Sequence, residues 1–197
     1  MKKSIIAALV FATSAMSSAN AGTITFDALE KTGSSFYLVP SHTEAGMLVS
    51  GTNLASMHKG GPYYAGSAGM FSNTIGGRIL LTKASGAVFA LNGIDLAPLA
   101  IEFGVNAVVS FTGNVHGGGT VTQSFVTGST KPFSKFSFTG FNNLDSVTWN
   151  QIANYHQFDN IVVDASAVPE PASLALFGLG LFGFAAARRR KSASKAA

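Results

Sequence analysis

The side chains able to do chemistry are few in this sequence and stand apart from one another. Only 11% of the 197 residues are charged, and there is no cysteine. Each histidine is isolated, with no paired spacing and no cysteine to complete a zinc set. The four are His42, His58, His116 and His156. The pattern therefore argues against a zinc site.

A covalent nucleophile is also hard to find. His116 is followed by three glycines, which is the form of the oxyanion loop of some esterases, but that loop works together with a Gly-x-Ser-x-Gly elbow. The chain has no such elbow, and the segment 66–69 is its nearest approach. We therefore interpret the glycine run at 117–119 as a hairpin loop.

Paired carboxylates could still make the chain a glycoside hydrolase, since the two acids of such a site can come from distant strands. The acids to consider for this role are Asp27, Glu102, Asp145 and Asp159. Residues 22–168 hold only eight acids, which is too few to line a cleft with in-strand carboxylates. We predict a protein without catalytic residues, and a secreted hydrolase of matrix polysaccharide is the alternative.

Asp159 is the acid whose surroundings matter most. It has the same strand parity as Ile161 and Val163, so we expect it to point to the core side, where an unpaired carboxylate is costly. Asp159 must then have a partner. Backbone N–H groups of a neighbouring loop are one partner that fits a carboxylate, and a bound Ca²⁺ is the other.

Aromatic rings could bind sugars, because the C–H groups of a pyranose ring pack on an exposed ring. Tyr63, Tyr64 and Tyr155 lie in loop-like sequence and are our candidates for glycan contact. The alternative is that these tyrosines only cover the end of a sheet. Trp149 alternates with Val147, and we predict that it lies in the core.

Apolar residues that alternate with polar ones, separated by glycine, proline and asparagine turns, predict strands throughout residues 22–165. No segment there has a helical stripe over three turns. The predicted strands are 23–29, 35–39, 77–82, 86–91, 101–111, 119–127, 133–139, 144–150 and 158–164.

Short antiparallel strands of this kind predict an all-β ectodomain over residues 22–165. The economical architecture is an antiparallel β-sandwich, jelly-roll-like in its connections. An eight-stranded β-barrel is the alternative, because alternation alone does not determine whether a sheet closes.

The first 21 residues have the form of a secretory signal peptide. A basic start precedes an apolar run over 5–12, and Ala19 and Ala21 have the small side chains that suit a signal peptidase. The apolar run is shorter than the about 20 residues that a stable membrane span needs. We therefore predict export, with signal peptidase as a partner and Gly22 as the mature start.

A second apolar segment, 172–187, lies near the C-terminus between a proline motif and a basic cluster. The motif 168–171 contains Pro169, Glu170 and Pro171, and the cluster 188–191 contains Arg188, Arg189 and Arg190. The apolar segment is about 24 Å long as a helix, short of a hydrocarbon core of about 30 Å. We predict a sorting signal over 166–191, with a marginal transmembrane helix and a tail over 192–197.

These three parts, in this order, resemble the PEP-CTERM sorting signal of Gram-negative bacteria. The resemblance implies that exosortase, an integral-membrane cysteine protease or transpeptidase, recognises the proline motif and that the basic cluster retains the tail. It also implies an inner-membrane intermediate, followed by delivery to the cell surface or the extracellular matrix. Hosts of such signals usually make exopolysaccharide.

A looser resemblance covers residues 86–164. The segments 89–96, 109–113, 141–149 and 158–163 are similar to an ectodomain common among PEP-CTERM proteins, which is jelly-roll-like and similar to carbohydrate-binding modules. In carbohydrate-binding jelly rolls a structural calcium clamps the terminal strands. By that analogy Asp159 would bind Ca²⁺ together with Asp27.

The formal net charge of +4 comes from the two ends of the chain. Seven of the 13 lysines and arginines lie outside residues 22–168, which leaves six against eight acids. A weakly acidic domain offers no basic surface to a phosphate backbone, so nucleic-acid binding is excluded. The sequence predicts an exported surface or matrix protein with a structural or glycan-binding role in an exopolysaccharide biofilm.

Overall fold

The computed structural model describes residues 21–99 and 106–164. The predicted signal peptide, the predicted sorting signal and Glu102 lie outside the described residues. Thirteen strands and one 3₁₀ turn, Asp27–Leu29, are found in the described part. The strands are β1 Gly22–Ile24, β2 Phe36–Leu38, β3 Ser41–Glu44, β4 Met47–Gly51, β5 Leu54–Met57, β6 Met70–Ser72, β7 Arg78–Lys83, β8 Leu91–Pro98, β9 Val108–Val115, β10 Thr120–Val126, β11 Ser134–Ser137, β12 Leu144–Asn150 and β13 His156–Val163.

The strands form two antiparallel sheets. A seven-stranded sheet has the order β11-β8-β13-β6-β5-β2, with β1 also paired to β13, and a six-stranded sheet has the order β10-β9-β12-β7-β4-β3. The predicted antiparallel sandwich is therefore confirmed. The barrel alternative is wrong, because both sheets are open in the described residues, and the chain passes repeatedly from one sheet to the other as in a jelly roll.

The core lies between the sheets and is built from the inward-facing residues of the strands. In β9, Val109 and Phe111 are fully buried while their neighbours in sequence face out, and in β12 the same holds for Val147 and Trp149. Trp149 is 2% exposed, as predicted, and its ring meets Phe111 and Phe158. The period of two is what allows one face of each strand to be apolar and the other polar.

The structure differs from the predicted strands in the first half of the chain. Four strands between 41 and 72 were missed, since they are only three to five residues long. The predicted strand 86–91 is irregular apart from an isolated bridge between Phe89 and Leu144, and β8 begins at Leu91 instead. The glycine run is a hairpin loop between β9 and β10, as predicted, and Gly117, Gly118 and Gly119 have φ of 86°, 118° and 90°.

The expected core orientation of Asp159 is wrong, because β13 contains a bulge. The register with β8 slips between Asp159 and Val162, and Asn160 has φ of 45°. The extra residue inverts the parity of the strand. Ile161 therefore joins the main core together with Phe158, and Asp159 points to the outer face of the seven-stranded sheet.

No helix among residues 21–99 and 106–164 is long and apolar enough to cross a membrane. The predicted span 172–187 is not among these residues.

Candidate functional site

The loop 58–69, which we call the cover loop, packs on the outer face of the seven-stranded sheet. A second, smaller apolar cluster forms beneath it from outward-facing residues of that sheet, joined by all three tyrosines predicted to contact glycan. The members are Ala55, Met57, Phe71 and Leu99, with Tyr63, Tyr64 and Tyr155 packed against them. The structure thus brings the predicted tyrosines together, partly buried as a cover for the sheet.

The polar groups of the cover loop are engaged within the protein. The Tyr64 hydroxyl donates to Glu30 Oε2 at 2.6 Å, and burial together with this carboxylate raises the pKa of Tyr64 to about 12. The Tyr63 carbonyl accepts a hydrogen bond of 2.8 Å from Gln157 Nε2. These contacts fix the loop on the sheet, and glycan contact by the tyrosines stays a prediction.

Asp159 lies under the cover loop with 1% exposure and has two hydrogen-bond donors. Its Oδ2 accepts from the Ser67 hydroxyl, and its Oδ1 accepts from the Asn160 N–H at 2.7 Å. Burial raises the pKa of Asp159 to about 6. The nearby charges of Asp27 and Asp95 also raise this pKa, whereas the two hydrogen bonds lower it. The buried Asp159 carboxylate therefore has two partners within the protein, the Ser67 hydroxyl of the cover loop and the Asn160 N–H of its own strand.

The calcium prediction for Asp159 and Asp27 stays a prediction. The two carboxylates are close enough for the charge of Asp27 to raise the pKa of Asp159. In the part of the chain that the structure describes, no group of three or more His, Cys, Asp or Glu side chains is arranged to hold a metal ion.

His116 and His156 lie in different environments, one exposed and one buried. His116 Nδ1 lies 2.8 Å from Asp145 Oδ1 at an exposed position beside the glycine loop. His156 is completely buried, and burial lowers its pKa to about 3, which keeps the ring neutral at physiological pH. Gln151 Nε2 lies 3.3 Å from its Nδ1.

A groove that the sequence did not predict lies on the outer face of the six-stranded sheet. Its volume is about 300 Å³. Outward-facing residues of β9 and β12 supply most of the lining, and Ile152, two residues beyond the end of β12, also belongs to it. The lining residues are Val108, Ser110, Thr112, Thr148, Trp149, Asn150 and Ile152.

The groove lies between β9 and β12, in a face where the outward positions of three adjacent strands carry hydroxyl and amide side chains. These are Ser110, Thr112 and Asn114 in β9, Thr120, Thr122 and Ser124 in β10, and Ser146, Thr148 and Asn150 in β12. Some of them bond across strands, as in the 2.8 Å contacts of Ser110 with Ser124 and of Asn114 with Ser146. The signal in the sequence was a small polar residue at every second position.

The groove lining offers uncharged donors and acceptors beside two aliphatic side chains. A hydroxyl donates and accepts, and an amide does both as well, so this lining can pair with a ligand rich in hydroxyl groups. Val108 is 53% exposed and gives an accessible apolar surface at one end. No acid or base is among the lining residues.

Comparison with known proteins gives a match at the C-terminus. The PEP-CTERM protein-sorting motif is found at residues 167–191, which agrees with the predicted 166–191. The motif indicates a secreted protein that exosortase processes. No curated protein matches the chain.

Solved structures of family 29 carbohydrate-binding modules resemble the described fold. CBM29_1 from Piromyces equi has 13% identity and a TM-score of 0.44, over 79% of this chain and 97% of that chain. A mutant of CBM29-2 in complex with mannohexaose has 12% identity and a TM-score of 0.44, over 73% of this chain and 89% of that chain.

Proposed function

We propose that this protein is a non-catalytic polysaccharide-binding protein of the cell surface or extracellular matrix of a Gram-negative bacterium. Signal peptidase removes residues 1–21, and exosortase then acts on the sorting motif of an inner-membrane intermediate. The mature sandwich binds exopolysaccharide of the biofilm. The observation that carries the binding role is the polar groove on the six-stranded sheet.

The chemistry of the groove supports a neutral polymer of hydroxyl-bearing units. Donors and acceptors on two paired strands come from Ser110, Thr112, Thr148 and Asn150. Because the strands already hold these side chains in place, binding should cost little conformational entropy. The exposed Val108 offers an apolar surface for C–H groups. The absence of acids from the lining supports a binding role over hydrolysis, which needs two carboxylates.

Co-sedimentation of the secreted protein with the producing cell's own polysaccharide tests this function, with an unrelated polymer for comparison. Thr148→Phe fills the groove and should weaken binding by at least about tenfold, which corresponds to about 1.4 kcal/mol.

Thr43→Phe is the matched control. Thr43 is exposed on β3, the far edge strand of the same sheet, so its substitution should leave binding unchanged. Equal loss in both variants, or no selectivity between the two polymers, would overturn the groove as the binding site.

The cover-loop tyrosines are a second proposed contact. Tyr63→Ala and Tyr155→Ala should weaken binding if the polymer reaches the outer face of the seven-stranded sheet. Retained affinity together with a lowered melting temperature would assign Tyr63, Tyr64 and Tyr155 to packing alone.

A further inference from the structure

One of the four sheet edges lacks the usual protection against pairing. The strands at the ends of the two sheet orders are β2, β3, β10 and β11, and the three-residue β1 pairs only with β13. β2 has three residues, β3 contains His42 and Glu44, and β11 has four residues including Lys135. β10 has seven residues with no charge and no proline, and it pairs with β9 through seven consecutive positions without a bulge. Long, flat, uncharged edges of this kind readily accept another strand.

The backbone groups at this edge can be assigned from the register. The Thr127 N–H donates to the Ala107 carbonyl at 2.8 Å, and the Val115 N–H donates to the Gly119 carbonyl at 3.1 Å. Because donors alternate along an antiparallel ladder, the odd-numbered residues of β10 bond to β9. The N–H and C=O groups of the even-numbered residues therefore point away from the sheet.

Within the described residues, these outward groups have no strand beside them. They belong to Thr120, Thr122, Ser124 and Val126. An apolar pair lies at one end of the same edge, because Val126 and its register partner Val108 are 54% and 53% exposed. The edge thus presents a row of unpaired amides and an exposed aliphatic surface.

We propose that β10 is a dimerisation edge, which pairs antiparallel with β10 of a second copy in a register centred on Gln123. This register places Thr122 opposite the partner's Ser124 and Thr120 opposite the partner's Val126, so all four outward residues of each copy take part. A second copy fits because the edge has no charge that would repel itself, and a two-fold axis closes the pair.

The dimer would join the two six-stranded sheets into one sheet of twelve strands. The two-fold axis is perpendicular to the sheet, so both grooves open on the same side. They are separated by four inter-strand spacings, or about 19 Å. If the proposed polysaccharide binding holds, one polymer chain could engage both grooves and gain avidity without a new contact.

The size of the secreted protein in sedimentation velocity, over a dilution series without polysaccharide, tests the proposal independently of the binding function. A concentration-dependent equilibrium between monomer and dimer is expected, and the amides of Thr122 and Ser124 should exchange faster as the protein is diluted. A monomer at all concentrations overturns the proposal. Protected amides in that monomer would show that another part of the chain covers the edge.

Two double variants test the register. Thr122→Lys with Ser124→Lys places like charges opposite each other and should weaken association by at least about tenfold. Thr122→Lys with Ser124→Glu places opposite charges face to face only in the register centred on Gln123, and should restore the dimer.

Thr43→Lys, on the far edge strand β3, is the matched control and should leave association unchanged. If both double variants dissociate equally, the register centred on Gln123 is wrong. If the double lysine variant still dimerises like the wild type, β10 is not the dimerisation edge.

Discussion

Asp159 of β13 lies directly opposite Asp95 of β8, and one asparagine is bonded to both carboxylates. The Asn160 N–H donates to Asp159 Oδ1 at 2.7 Å, and its Nδ2 donates to Asp95 Oδ2 at 3.0 Å. Asn160 occupies the bulge with φ of 45°, a conformation that asparagine tolerates better than most residues. The bulge thus places two like charges face to face, which is unfavourable when both are ionised.

This arrangement makes the stability of the sandwich depend on pH. The pKa of Asp159 is raised to about 6 in the folded chain by burial and by the charges of Asp27 and Asp95, while an unfolded aspartate titrates near 3.9. The folded state therefore binds more protons between these values, so the free energy of unfolding should fall as pH rises from about 4 to about 6. The expected loss is of the order of 2–3 kcal/mol.

Asp159→Asn should remove this loss. The free energy of unfolding in urea should exceed that of the wild type at about pH 7.5 and approach it at about pH 4. Asp145→Asn, at an exposed acid, is the control and should change stability little. An unchanged pH profile in Asp159→Asn would contradict the assignment.

How far the sequence predicts this fold depends on whether the period of two holds. It holds over residues 146–150 of β12, beyond the bulge that follows Leu144, so the burial of Trp149 is predicted correctly. In β13 a single extra residue at Asn160 reverses it, and nothing in the local pattern of apolar residues marks that bulge. The groove was not predicted for another reason, since Thr148 and its neighbours are ordinary outward strand residues until the pairing of β9 with β12 aligns them.

The bond from Ser67 to Asp159 should hold the cover loop in place. Ser67→Ala leaves a buried carboxylate with one donor fewer, which costs about 1–3 kcal/mol. The cover loop should then be cut faster in limited proteolysis, and the pKa of Asp159 should rise further. Ser129→Ala, at an exposed loop position, is the control. Equal cleavage in Ser67→Ala and in the wild type would show that other contacts fix the loop.

Calcium at Asp159 and Asp27 would show itself in thermal melting. Calcium should raise the melting temperature of the secreted protein above that measured with chelator at about pH 7.5, where Asp159 is ionised, and much less at about pH 5. Asp159→Asn should abolish the difference at both pH values. Coincident melting curves with calcium and with chelator in the wild type would contradict calcium binding at this site.

The sorting motif predicts a trafficking defect. Deletion of Pro169, Glu170 and Pro171 leaves the apolar segment and the basic cluster in place, so the chain should accumulate in the inner membrane at its unprocessed size. Cell fractionation followed by immunoblotting measures this. Glu30→Gln, in the exposed part of the sandwich, should leave processing intact. Normal secretion of the deletion variant would contradict recognition through the motif.

Glu44 links the two sheets next to β1. From β3 in the six-stranded sheet, its carboxylate accepts hydrogen bonds from the Thr25 N–H at 3.1 Å and the Phe26 N–H at 3.0 Å, just beyond β1 of the other sheet. It also contacts His42 Nε2 at 2.9 Å. Burial raises the pKa of Glu44, but these hydrogen bonds outweigh burial and hold the pKa below its usual value.

Because the pKa of Glu44 is lowered in the folded state, the stabilisation by its hydrogen bonds is present at neutral pH and is lost as pH falls through the folded pKa. Glu44→Gln should therefore lower the free energy of unfolding by about 1–3 kcal/mol at about pH 7. The two proteins should converge as pH falls through the folded pKa of Glu44, which lies below its usual value. Glu30→Gln removes an exposed acid that contacts Lys59 and Tyr64, and it should cost much less. Urea unfolding of all three proteins measures the difference, and an equal effect of the two substitutions would show that Glu44 does not hold the sheets together.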